Sequence, residues 1–185
     1  MPRVARSAVM GLDLSTRASA AIVLPRNWAG DWTMMRSLVF GSALEKTATV
    51  RDRALRTESI AEAVVQFGND YGVRHVWIEG YAFSRVSAST HILAELGGVV
   101  KLELVRAGMQ VQIANMGTAR KLLLGRVPRG KGAAKKGALK ALRAAGMPFR
   151  SGKDTWNDEA DAFVAANFGM SELGGHCFAQ YFLGK

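Results

Sequence analysis

Four acidic residues in this chain stand where chemistry can be done: Asp13, Glu79, Asp158 and Asp161. Asp13 and Glu79 close the short apolar runs MGLDL and VWIEG. A charge at the end of a buried strand is costly to hold without a partner. Asp158 and Asp161 are spaced i to i+3 within WNDEADAFVAANF, on one face of a helix. Glu159 lies about 100° round that helix and is expected to face solvent. Four converging carboxylates repel one another, and their pKa values rise unless cations sit among them. An all-oxygen shell suits hard divalent ions such as Mg²⁺ or Mn²⁺. Two such ions about 4 Å apart activate water and stabilise the leaving oxygen in phosphodiester hydrolysis. Taken singly, Asp13 could make a turn, and Asp154 or Asp158 could cap a helix. Their joint placement beside a strongly basic stretch favours a nuclease site.

That stretch holds the whole charge excess. The 185 residues carry 25 Lys and Arg against 15 Asp and Glu, a net +10. Residues 101–150 contribute 12 basic and 1 acidic side chains, residues 1–100 contribute 11 and 9, and residues 151–185 contribute 2 and 5. A basic block of that density attracts polyanions through counterion release, which makes nucleic acid the expected partner. Within it Arg120, Lys121, Arg126, Arg129, Lys131, Lys135, Lys136 and Lys140 are candidate contacts to a DNA backbone. The segment GRVPRGKG nearly spells a phosphate-binding P-loop, but Gly132 replaces the hydroxyl residue that would hold Mg²⁺. No nucleotide cofactor is therefore expected, and the segment is read as a backbone-contacting loop.

Other classes are excluded more simply. No run of 18 apolar residues is present, so no membrane-spanning helix is expected. The basic N-terminus reaches an aspartate too soon for a signal-peptide core. A single cysteine, Cys177, excludes a disulfide framework and fits a reducing cytoplasm. His75, His91 and His176 are scattered, without zinc-ligand spacing.

The elements that must position the acids follow from periodicity. With 49% apolar residues the length suits one domain over 1–185. Residues 7–14, 18–25 and 33–40 are expected as three consecutive strands. A helix is expected over 48–70, with Ala54, Ala61, Val64, Val65 and Phe67 on its apolar stripe. A strand at 73–78 ends at Glu79. A helix over 88–107 follows, containing Gly97 and Gly98, then a strand at 109–114. Helices are expected at 117–124, over AAKKGALKALRAAG and at 156–168. Lys135, Lys136, Lys140 and Arg143 should face outward from the second of these. This order predicts an α/β fold: three antiparallel strands extended by two parallel ones, in one mixed sheet with helices on its faces. If the first and fourth strands are parallel neighbours, Asp13 and Glu79 share the edge where open α/β sheets hold ligands.

GLDLSTRASA, VWIEGYAF, AELGGVV, GKGAAKKGAL and DEADAFVAA, in that order from residue 8 to 168, resemble the RuvC-type Holliday junction resolvases, within the RNase H-like superfamily. The likeness is to the branch found in phages and related bacterial elements. The cellular form favours Pro-Gly after the first aspartate, where this chain has Leu14 and Ser15. The resemblance implies a five-stranded RNase H-like fold and a metal site of Asp13, Glu79, Asp158 and Asp161. It also implies two Mg²⁺ ions, with Mn²⁺ able to substitute. Lys136 would stand near the scissile phosphate, in the family's Gly-x-Ala-x-Lys pattern. The implied activity is resolution of four-way DNA junctions by a homodimer, in the cytoplasm of a bacterium or a phage-infected one. Forks, flaps and RNA–DNA hybrids remain alternative substrates, and a non-catalytic junction-binding protein is a further alternative. Phe83, or less readily Tyr81, could wedge between bases at the branch point or simply fill core. The Gly97–Gly98 helix could pack against its twin or against its own subunit.

Overall fold

The computed structural model describes residues 8–41, 47–80, 88–126, 128–130, 132–150, 152 and 156–182, without the side chains of 88 and 89. Phe83, Tyr81, Lys131 and Asp154 lie outside the described residues. The run AVMGLD forms the central strand β1 (Ala8–Asp13). It is followed by β2 (Ser19–Leu24), β3 (Arg36–Phe40), α1 (Val50–Asp70), β4 (Val73–Glu79), α2 (Ala88–Arg106), β5 (Gln110–Ala114), α3 (Met116–Leu124), α4 (Ala133–Ala144), α5 (Trp156–Glu172) and α6 (Phe178–Phe182). The strands form one sheet in the order β3-β2-β1-β4-β5. β1–β2 and β2–β3 pair antiparallel, while β1–β4 and β4–β5 pair parallel, as expected.

The two-residue period of β1 decides where its acid points. Ala8, Met10 and Leu12 enter a core on one sheet face with Ile60 and Val64 of α1 and Leu96, Val100 and Leu104 of α2. Val9 enters the opposite core, formed chiefly with α3, α4 and α5. Gly11 faces α5 so closely that an added Cβ would meet the backbone of Ala162 and Ala166. Asp13 continues that alternation and so projects beneath α5. β4 repeats the arrangement: Val76 and Ile78 join the α1–α2 core, Trp77 joins the α5 core, and Glu79 follows Trp77. Leu12 pairs with Ile78 across the parallel ladder, which brings the two acids to neighbouring strand ends.

α5 is buried nearly all round. Residues 159 to 167 are without exception buried, and Phe163 sits in an aromatic cluster with Trp28, Trp32 and Phe178. Over that span the helix has no solvent face. Glu159 is accordingly fully buried, contrary to expectation. Its Oε2 accepts from the Arg150 backbone N–H at 3.2 Å and faces the Ser37 hydroxyl of β3 at 3.4 Å.

Three other features differ from what periodicity predicts. Residues 32–34 form a 3-10 turn rather than the start of a strand, because the Asp31 side chain accepts from the Thr33 amide and hydroxyl. α5 continues to Glu172, beyond the expected 168. Ala54 is exposed, and Ile60 and Gly68 complete the buried stripe of α1. Gly97 is buried within its own chain, whereas Gly98 has nothing within 4 Å of an added Cβ. Among the described residues no helix is long and apolar enough to cross a membrane.

Candidate functional site

Asp13 ends β1, Glu79 ends β4, and Asp161 descends from the second turn of α5 onto the same edge. One carboxylate oxygen from each lies within 4.8 Å of the others. Asp158, one turn earlier on α5, is half-buried at the mouth of the site. With Asp13, Glu79 and Lys135 it lines a groove of about 390 Å³, completed by Leu14, Ser15 and Thr16 after β1 and by Thr90 and Leu93 of α2. The loop after β1 is held in place by the buried Ser19 hydroxyl, which accepts from the Ser15 amide at 3.1 Å. Arg56 of α1 also donates to the Arg17 carbonyl at 3.2 Å.

Burial and mutual repulsion both act on these acids. Burial first, then the charges of Glu79 and Asp161, hold the Asp13 carboxyl well above the usual carboxylate range. Glu79 is raised by burial and by Asp161, partly offset by a hydrogen bond with Asp13 and by Arg120. Asp158 is raised by burial, against the pull of Lys135. A divalent ion among these carboxylates would relieve both effects, at the expense of any proton they hold. The donor set is entirely carboxylate oxygen, hard and convergent, and fits Mg²⁺ or Mn²⁺.

Two cations share the site. Arg120 of α3 donates to Asp161 Oδ1 at 2.7 Å and stands 3.7 Å from Glu79. Lys135 of α4 pairs with Asp161 Oδ2 at 2.5 Å. Burial alone would lower the Lys135 ammonium, but the charges of Asp161, Asp13 and Glu79 together hold the group above its ordinary value. These positions alter the sequence reading in two places. Arg120, expected on a DNA backbone, is largely buried among the acids. Of the adjacent lysines, Lys135 and not Lys136 reaches the carboxylates.

Both departures have a readable cause. Lys135 shares a stripe with the buried Ala138 and Leu142, at i, i+3 and i+7. Arg120 stands in the same relation to the buried Met116 and Leu123, at i+4 and i−3. Lys136 points instead to a second groove, with Leu139, Lys140, Arg143 and Ala144. Lys121, Arg126 and Arg129 are exposed at the end of α3 and in the loop that follows. Arg143 also lies over the Trp156 ring at 5.0 Å, and Trp156 packs on Phe149, so the first turn of α5 is clamped to the basic helix.

No protein-family model matches the sequence, and no curated protein matches it. Solved structures do. Thermus thermophilus RuvC in complex with a Holliday junction substrate aligns with a TM-score of 0.63 at 16% identity, over 91% of this chain and 97% of that one. Fowlpox virus resolvase, in complex with substrate Holliday junction DNA, gives 0.51 at 13% identity, over 90% and 98%. The yeast mitochondrial Holliday junction resolvase gives 0.53 at 10% identity, over 89% and 78%. At these identities the likeness speaks to the fold: the chain has the RuvC-type, RNase H-like fold.

Proposed function

We propose that this protein is a metal-dependent endonuclease that resolves four-way DNA junctions. The observation that carries the reading is the convergence of Asp13, Glu79 and Asp161 within 4.8 Å at the ligand-holding edge of a resolvase fold. Asp13, Glu79 and Asp161, with Asp158 at the mouth, would hold divalent ions, Mg²⁺ with Mn²⁺ able to replace it. Such ions supply activation of water and charge stabilisation in in-line phosphodiester hydrolysis.

The chain's own residues divide the remaining work. Lys135 lines the groove beside Asp158 and is placed to offset charge on the scissile phosphate or the leaving oxygen, the role expected of Lys136. Lys136, Lys140 and Arg143 on the exposed side of α4 would grip the flanking backbone, with Lys121, Arg126 and Arg129 extending that surface. Contacts to phosphate carry no base code, so selectivity would come from branch shape. Phe83 remains a candidate wedge at the branch point.

A second copy of the chain would supply the symmetric cut. Its proposed seat is the exposed apolar stripe Val99, Leu102 and Val105 on α2, with Ile113 on the edge strand β5. The intact acid cluster favours catalysis over junction binding alone.

The test is a single gel assay on a synthetic four-way junction, a Y-fork, a flap and an RNA–DNA hybrid, with Mg²⁺ or with EDTA. The junction should be nicked in Mg²⁺ and left intact in EDTA. Asp13→Asn should bind the junction and fail to cut it. Equal cutting of all four substrates would remove the junction preference, and unchanged cutting by Asp13→Asn would remove the site.

A further inference from the structure

Asp161 is the most enclosed acid of the cluster, and a side-chain cation stands at each of its oxygens: Arg120 donates to Oδ1, and Lys135 forms an ion pair with Oδ2, which has no aligned hydrogen bond. Arg120 is itself largely buried, and its Nε has no hydrogen-bond partner among the described residues. A buried guanidinium with an unmet donor is costly to keep, so the neighbouring carboxylates must be what retains it. Metal binding requires the acids to give up their protons, and in that form the four carboxylates with Arg120 and Lys135 carry two net negative charges. One divalent ion cancels that excess; a second would leave the pocket positive until a polyanion arrived.

We infer that Arg120 is a built-in counter-cation that competes with divalent ions for Asp161 and Glu79 and holds the DNA-free protein to one readily bound ion. The inference rests on the metal-dependent reading of the site and assigns Arg120 a task distinct from backbone contact. Arg120 approaches Asp161 and Glu79 from α3 with only 15% of its side chain exposed, so it acts on the ligands rather than on substrate. Its guanidinium also offsets part of the repulsion between Glu79 and its neighbours when no ion is present. The fold can therefore assemble before metal arrives.

The experiment is a Mn²⁺ titration of the full chain without DNA, followed by electron paramagnetic resonance of the free ion, with thermal melts in EDTA and in Mn²⁺. Wild type should take up about one ion. Arg120→Gln should melt lower than wild type in EDTA, bind Mn²⁺ about fivefold or more tightly, and recover most of its melting deficit in Mn²⁺. Lys135→Gln, whose side chain is 39% exposed and not needed for packing, should shift Mn²⁺ affinity in the same direction. Unchanged or weaker Mn²⁺ binding by both variants would overturn the inference. So would a melting deficit equal in EDTA and Mn²⁺, the mark of a packing role alone. If wild type and Asp13→Asn alike retain no Mn²⁺, the metal reading itself falls. If wild type binds, Asp13→Asn does not, and Arg120→Gln matches wild type, only the counter-cation assignment falls.

Discussion

Asp13 shows how far a single residue is bent to its task. Burial opposes its charge, and Glu79 and Asp161 add to that opposition, so the folded state holds its proton to higher pH than the unfolded chain does. Glu79 and Asp158 are raised in the same direction. Where the folded state binds more protons than the unfolded one, stability falls as pH rises. That window opens in the ordinary carboxylate range and closes at the raised values of this site. In EDTA the protein should therefore lose melting temperature as pH rises above the ordinary carboxylate range, through this cluster. Asp13→Asn should flatten that loss and melt higher than wild type at the alkaline end. For a chain of this size roughly 2–4 °C corresponds to each kcal/mol relieved. Adding Mg²⁺ should stabilise wild type and leave Asp13→Asn nearly unmoved. A variant that melted below wild type at about pH 8 in EDTA would contradict this account of burial. Lys135 is the other residue whose position decides its use. Lys135→Ala should slow single-turnover nicking by about 10²-fold. Lys136→Ala, facing the second groove, should leave that rate within about threefold and weaken junction binding instead.

At the scale of elements, the site exists because α5 lies flat on β1 and β4. Gly11 permits this on β1, and Gly169 permits it on β4, where an added Cβ would collide with the Trp77 ring. Gly11→Ala would drive a methyl group into the backbone of α5, which cannot turn aside as a side chain can. We expect a cost of about 3 kcal/mol, or roughly 6–12 °C of melting temperature. The displaced Asp161 should also weaken Mn²⁺ uptake, and calorimetry of the metal-free and loaded protein would read both effects. The alternation of MGLDL and VWIEG made the sheet edge, and the pairing of Asp13 with Glu79, legible in the sequence. The i to i+3 spacing likewise put Asp158 and Asp161 on one side of α5. Helix rotation was harder to read. Lys135 and Lys136 differ by one residue and both belong to a basic run, so only the buried stripe of Ala138 and Leu142 tells which turns inward. Glu159 misled for a related reason. Its charge suggested water, whereas FVAANF marks a helix covered on every side, and such a helix buries whatever charge it carries. The turn at residues 32–34 was set by one Asp31 side chain competing with the strand, a local bond that an apolar pattern does not show.

The whole molecule divides its surface by chemistry. α4 and the end of α3 carry exposed cations on one side of the sheet. On the other, the second half of α2 exposes Val99 at 38%, Leu102 at 49% and Val105 at 58%, beside Ile113 at 54%. Single exposed apolar residues are ordinary; these four, on adjoining elements, are the proposed seat of a second copy. A four-way junction is cut symmetrically only if two sites are presented together, and one chain holds one acid cluster among its described residues. A two-fold axis through α2 would supply the second site with a self-complementary interface. Gly98, with open space around it, would let the two backbones approach. Leu102→Glu would set like charges against each other across that axis and strand them away from water. The variant should sediment as a monomer at concentrations where wild type is a dimer. Its own melting should shift by no more than about 0.5 kcal/mol, because Leu102 is already half in solvent. It should still bind the junction through α4 and nick it, but the two cuts should become independent, so that once-nicked junction accumulates before resolved duplex. Wild type that sediments as a monomer, or Leu102→Glu that remains a dimer with paired cuts, would remove α2 as the contact between copies.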